Sequence, residues 1–208
     1  VLTDPPLQAA AAPATAPGAD EEDRRDRQLL QRIAVERDAG ALEVLYGRYR
    51  ERLPAFLRRL SRDSALIEEV YNDVMVKVWD KAHQFQGQSR VSSWIYSIAY
   101  RDCLRMVKKQ QRRDLLVQLV GQEVPDTDLA CEPESVDLPV DRALLQQAMH
   151  KLPPKQRLVL ELCYFEGHAI EDIARIVSAP ANTVKTRLHH ARNKVRAYLV
   201  RHGAALDA

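Results

Sequence analysis

The chain has 208 residues, enough for one or two small domains, and it is poor in aromatics (6%) and in glycine (seven residues) while 29% of its residues are charged. This composition, with little alternation of β-branched residues, argues against a β fold and for an all-α protein. The formal net charge of +2 conceals blocks of opposite sign along the chain.

Residues 1–24, which open VLTDPPLQAAAAPATAPGAD, are rich in Ala and Pro and are expected to form a disordered tail. Their first cation is Arg24 and they contain no leucine core, so they do not read as a secretory leader. No later stretch is long and apolar enough to span a membrane.

From residue 25 to 113 a helical domain is expected. Leu42, Leu45, Tyr49, Leu53, Phe56, Leu57 and Leu60 make one apolar stripe. Ile67, Val70, Tyr71, Val74 and Val78 make a second, and Ile95, Ala99, Cys103, Met106 and Val107 a third. Three or four helices packing these stripes give a compact bundle. Between the second and third stripes lies a polar loop, FQGQSRVSS, with Gly87 in it. The helix that follows, from about Val91, carries RDCLRMVKKQQRR, with six Lys or Arg against one Asp. Arg101, Arg105, Lys108 and Arg112 recur at steps of four, three and four, so they share a face. Trp94, Tyr96 and Tyr100 lie near it. Cations beside rings and a polar loop suit unpaired bases, which stack on aromatics while their backbone meets positive charge. Taken singly, Trp94 reads more readily as a core residue of a basic amphipathic helix.

Residues 114–139 hold Pro125, Pro133 and Pro139, and residues 114–140 hold seven acids and no Lys or Arg. They are expected to be an acidic flexible linker. Helices resume near Val140 and continue to about residue 202 as a second, four-helix domain. Gly167 ends the helix RLVLELCYF. HAIEDIARIV then makes a short helix and SAP a break, with Pro180 suited to the first turn of the next helix. In that last helix Val184, Leu188, Ala191, Val195 and Leu199 form an apolar face, and residues 182–202 hold six Lys or Arg and no acid. A solvated helix gains from mixing acids with its bases, so an all-cation face points to a polyanion. A short helix, a tight turn and a basic second helix make a helix-turn-helix, whose second helix enters the major groove.

Cys103, Cys131 and Cys163 are isolated and odd in number, which fits a reducing cytosol and no disulfide framework or zinc site. The histidines show no metal-ligand spacing, so His189 and His190 are read as facing DNA or solvent. No catalytic constellation stands out, and neither enzyme activity nor a cofactor is expected.

The order EEVYNDVMVKVW, FQGQSRVSSWIYSIAY, basic helix, acidic linker, LPPKQRLVLELCYFEG and IEDIARIVSAPANTVKTRLHHAR resembles the extracytoplasmic-function (ECF) sigma factors of bacterial RNA polymerase, over about residues 27–200. The resemblance implies a non-enzymatic, cytoplasmic initiation factor. It would bind core polymerase through region 2, read the −10 element there and the −35 element through region 4, and serve a specific, stress-type regulon under an anti-sigma protein. It assigns core polymerase docking to Glu68, Glu69, Asn72, Asp73 and Val76. It assigns the melted −10 element to Gln88, Ser89, Arg90, Ser92, Ser93, Trp94, Arg101, Arg105 and Lys108. It assigns the −35 duplex to Asn182, Thr183, Lys185, Thr186, Arg187, His189, His190, Arg192 and Arg196. Arg101 stands where the family commonly has Asn, which bears on −10 sequence preference. The connector is either a mimic of nucleic acid in the polymerase channel or a tether that sets domain separation. A regulator of the response-regulator type shares the helix-turn-helix, but such proteins carry a βα-alternating domain, and this N-terminal half reads as helical throughout.

Overall fold

The computed structural model describes residues 19–120 and 140–202, with side chains described for 20–112 and 144–202. Among these residues every regular element is helical. The N-terminal unit comprises α1 (Ala19–Glu36), α2 (Ala39–Tyr49), α3 (Arg52–Leu57), α4 (Ser64–Lys81), a 3-10 turn (Ala82–Gln84) and α5 (Val91–Val120). The C-terminal unit comprises α6 (Val140–His150), α7 (Pro154–Tyr164), α8 (Ile170–Ile176) and α9 (Ala181–Arg201).

Local chemistry sets the boundaries. The carboxylate of Asp38 accepts the amide of Ala41 and starts α2, and that of Asp63 accepts the amides of Ala65 and Leu66 and starts α4. The cap amide and Arg32 hold the Asp38 carboxyl below its usual pKa. The stripe from Leu42 to Leu60 is split between α2 and α3, because Pro54 sits in the first turn of α3 and cannot continue α2. Gly167, at φ 66°, turns the chain between α7 and α8.

The N-terminal core is built from Leu30, Ile33, Leu45, Tyr49, Leu53, Phe56, Val70, Val74, Val78, Ile95 and Tyr96, all at most 2% exposed. The C-terminal core gathers Val159, Leu162, Ile173, Ile176, Val184, Leu188 and Ala191. Each expected apolar stripe thus points inward, as a helical period requires.

Two boundaries differ from the sequence reading. Residues 19–24, expected to be tail, form the first turns of α1. Asp20, Glu22 and Asp23 there pair with Arg90, Arg52 and Arg27. The tail was read from composition, and composition does not register acids that cations elsewhere in the chain hold in place. The basic helix α5 also runs to Val120, past the expected end of the domain at Arg113. The expected tail before residue 19 and the connector over residues 121–139 lie outside the described residues.

Candidate nucleic-acid and polymerase interfaces

Three surfaces collect the residues singled out in the sequence. The first is α9. Val184, Leu188 and Ala191 bury one side of it. Asn182, Lys185, Thr186, His189, His190 and Arg196 are exposed on the other, with Thr183, Arg187 and Arg192 half-buried at the margins. Asn193 lies within hydrogen-bonding distance of His189 Nε2 (3.0 Å), and the His189 and His190 rings meet edge to face. Thr186 donates back to the Asn182 carbonyl. The turn before α9 passes through Ser178, at φ 51°, and Pro180 opens the helix. The helix-turn-helix therefore rests on a left-handed non-glycine residue where a glycine would be easier.

The second surface is the outer face of α4. Glu68, Glu69, Asn72, Asp73 and Val76 are all exposed there, Val76 at 59%. Sequence reasoning missed a contribution from α2. Tyr46 donates to Asn72 Oδ1 (3.1 Å), and its ring lies 4.8 Å from that of Tyr71. Tyr71 in turn donates to the Tyr46 carbonyl (2.7 Å). Tyr46 falls outside the buried stripe of α2, and an exposed tyrosine on a helix gives no sign in sequence of what it touches. Behind this face Lys77 pairs with Asp102, which also meets Arg105, so α4 is tied to α5.

The third surface runs from residue 86 through the first turns of α5. Trp94 is half-buried and its ring lies 5.6 Å from Phe85, so it is neither a sealed core residue nor a free platform. Arg27 of α1 donates to the carbonyls of Gly87 (3.3 Å) and Ser89 (2.7 Å), and Asp23 accepts the Val91 amide. Gly87 has φ 72°, and a Cβ there would meet Arg27 Nη1 at 3.1 Å. Loop shape thus depends on α1, more than fifty residues away in the chain, which no local pattern reveals. Arg101, Arg105 and Lys108 are exposed, and Arg101 folds back onto the Ser97 carbonyl.

The same loop meets the C-terminal unit. Ser93, 1% exposed, lies 3.1 Å from His168 Nδ1. Arg90 donates to the Gly167 carbonyl and Arg175 to the Gln88 carbonyl. Tyr96 donates to Glu166 Oε2 (2.9 Å). Arg59 pairs with Glu161 (3.1 Å) and Glu166 (3.6 Å), and Arg52 with Glu166 (3.6 Å). Burial, with Arg52 and Arg90 adding to it, lowers the His168 pKa to about 3. Burial raises that of Glu161 despite Arg59 and Arg157. Of the expected −10 residues, Ser92, Ser93, Trp94, Arg101, Arg105 and Lys108 thus stand on α5. Gln88, Ser89 and Arg90 stand in the loop before it, and Gln88, Arg90 and Ser93 are engaged within the chain. Among the described residues no group of His, Cys, Asp and Glu is placed to hold a metal ion, and no helix is long and apolar enough to cross a membrane.

Comparison with known proteins agrees with the division into two helical units. Residues 45–113 match sigma-70 region 2 and residues 142–195 match sigma-70 region 4. The chain is 29% identical over 188 residues to the ECF RNA polymerase sigma factor RpoE of Cereibacter sphaeroides, covering 86% of this chain and 98% of that one. It is 26% identical over 182 residues to the ECF RNA polymerase sigma-E factor of Haemophilus influenzae, covering 84% and 95%. Among solved structures it resembles the sigma factor RpoE in complex with the anti-sigma factor NepR from Bartonella quintana. There the TM-score is 0.54 and the identity 25%, over 71% of this chain and 89% of that one. It shares its fold with CnrH in complex with the cytosolic domain of CnrY (TM-score 0.57, 18% identity, 86% and 99% covered). With both regions matched in order and the relatives covered almost end to end, the chain belongs to the ECF sigma factors.

Proposed function

We propose that this sigma factor docks on core RNA polymerase through the outer face of α4, reads −35 duplex through α9 and captures the melted −10 strand on the segment from Gln88 to Lys108. It acts in the cytoplasm, on a regulon of its own, and an anti-sigma protein holds it in check. The domain bounds follow the sequence reading: region 2 over residues 25–113 and region 4 over 140–202, with α1 carrying the N-terminal edge back to Ala19.

One observation carries this reading. A cationic helix without a single acid and a second, ring-bearing basic surface stand in one chain, beside an exposed acidic face on α4. Duplex recognition, single-strand capture and protein docking need three different chemistries, and each has its own helix here. The anti-sigma partner is supported by the Bartonella relative, whose structure is a complex with one.

The test is affinity for bacterial core RNA polymerase. The full chain binds tightly, and Asp73→Lys, which places an ammonium in the acidic docking face, weakens polymerase binding at least tenfold (about 1.4 kcal/mol). Binding of −35-type duplex by α9 is unchanged in the same variant. Normal polymerase affinity in Asp73→Lys would move the docking site off α4.

A further inference from the structure

The basic surface around the −10 loop is wider than the loop itself. Arg52 of α3 and Arg59, just past its end, share Glu166 with Tyr96, and Arg90 stands at the loop. Three guanidinium groups, from α3, the turn after it and the loop, therefore lie near this seam. Carboxylates of the C-terminal unit meet two of them: Glu161 and Glu166, from the end of α7 and the turn after it, pair with Arg59, and Glu166 also with Arg52, which stays 40% exposed and meets Glu22 of its own unit at 3.2 Å. A carboxylate fits an arginine fork much as a phosphate does. The contact also consumes loop groups that a single strand would use, since Gln88, Arg90 and Ser93 are bonded to Arg175, Gly167 and His168.

This seam differs from the cores on either side of it. Buried side-chain atoms without a hydrogen-bond partner among the described residues are Arg59 Nη1, Gln156 Oε1, Glu161 Oε2 and His168 Nε2. Three of the four belong to seam residues. Two of these atoms, Arg59 Nη1 and Glu161 Oε2, lie within ion-pair distance of their partners across the seam, and His168 Nε2 has no partner there, so the seam is held by charge rather than by well-aligned hydrogen bonds.

We propose that Arg52 and Arg59 extend the single-strand surface as a phosphate-binding rim, and that Glu161 and Glu166 occupy this rim as phosphate surrogates, so that the closed chain keeps its −10 surface covered until the two units part. The inference rests on the −10 reading given above. Closure and strand capture then compete for the same guanidinium groups. Apparent affinity for single strands scales with the fraction of open chains.

The experiment uses the full chain with Glu161→Lys and Glu166→Lys, which sets two ammonium groups against Arg52 and Arg59. A control chain with Glu36→Lys and Glu43→Lys carries the same change in charge and keeps the seam. Small-angle scattering reports whether the units part. Fluorescence anisotropy reports binding of a labelled single-stranded DNA of randomised sequence at low salt. The seam variant is expected to expand and to bind about tenfold more tightly than the control, as for a chain about nine-tenths closed. Adding Arg59→Ala to the seam variant is expected to remove part of the gain and flatten its salt dependence. An expanded seam variant that binds no better than the control overturns the proposal, provided Trp94→Ala still weakens it and so upholds the −10 surface. Loss of the Trp94 effect as well rejects the −10 reading itself. A seam variant that stays compact also overturns the proposal, because the carboxylates would then not hold the closure.

Discussion

The two surfaces proposed to meet DNA are built in opposite ways. The −35 face is one side of one helix: α9 supplies all of its candidate contacts, and its other side is anchored by Val184, Leu188 and Ala191. The −10 face is assembled from α1, the loop at Gly87, α3 and α5, and its key groups are engaged across the seam. A rigid major-groove reader needs only a helix held at the right angle. A surface that accepts a flipped base needs a shaped pocket, because extruding the base is costly. The first design is modular, with its exposed residues on one side of a single helix. The second depends on distant residues and can be covered.

The sharpest way to break the modular half is to remove its anchor. Leu188 is 2% exposed and packs the middle of α9. Leu188→Ala leaves a cavity expected to cost about 3 kcal/mol, a large share of the stability of so small a unit. Thermal unfolding followed by circular dichroism should show the C-terminal helices melting earlier while the N-terminal unit keeps its transition. Binding of −35-type duplex should fall in step with that loss. If duplex binding persisted with the unit unfolded, α9 would not be the reader.

The covered half is expected to respond to pH through His168, 3% exposed and facing Ser93, Tyr96, Arg52 and Arg90, with Glu166 next to Tyr96. Its pKa falls from the usual 6.5 to about 3 on burial, so the closed chain holds it neutral while a parted or unfolded chain protonates it below 6.5. The open state therefore binds more protons between those values, and closure weakens as pH falls through that window. At pH 5 the loss from this imidazole is about 2 kcal/mol. Glu161, whose carboxyl burial pushes up, works in the opposite direction. Comparison of the chain with His168→Leu isolates the imidazole: scattering between pH 7 and pH 5 should show expansion in the former and much less in the latter. Equal expansion in both would assign the effect to another group.

The same contrast explains what sequence could reveal. Helical periodicity located the three stripes of the N-terminal unit named above and the basic face of α9, because each is a property of a single helix read along its own residues, but it did not single out Leu30 and Ile33 of α1. Order and spacing of motifs pointed to the α4 face and to the segment from Gln88 to Lys108 as the candidates for polymerase and the −10 strand. What stayed hidden depends on residues far apart in the chain: the Tyr46–Asn72 bond, the Arg27 clamp on the loop, the acids of residues 20–23 that make α1 longer than expected, and the Glu161 and Glu166 pairs. Each of these side chains is ordinary at its own position. Arg27 reads as a solvated helix residue with Asp23 one turn before it, and that ion pair does form. Only the fold shows the guanidinium also bridging to Gly87 and Ser89.

Arg27 therefore offers the finest test of the contrast. Replacing it with Ala removes two side-chain bonds to loop carbonyls, one part-buried and one exposed, a loss of about 1 kcal/mol in all. The effect is expected to stay local. Amide exchange should quicken over residues 86–91, since the Val91 amide keeps Asp23 as its acceptor but loses the neighbour that fixes that carboxylate. Protection in α9 and affinity for −35-type duplex should not change. In a chain opened by Glu161→Lys and Glu166→Lys, the same substitution should weaken single-strand binding about fivefold, the equivalent of that 1 kcal/mol. Arg27→Lys retains the charge but not the fork that reaches both carbonyls at once, so it should recover only part of the loss. Full recovery by lysine would mean that charge near the loop, rather than the shape Arg27 imposes on it, is what the strand requires.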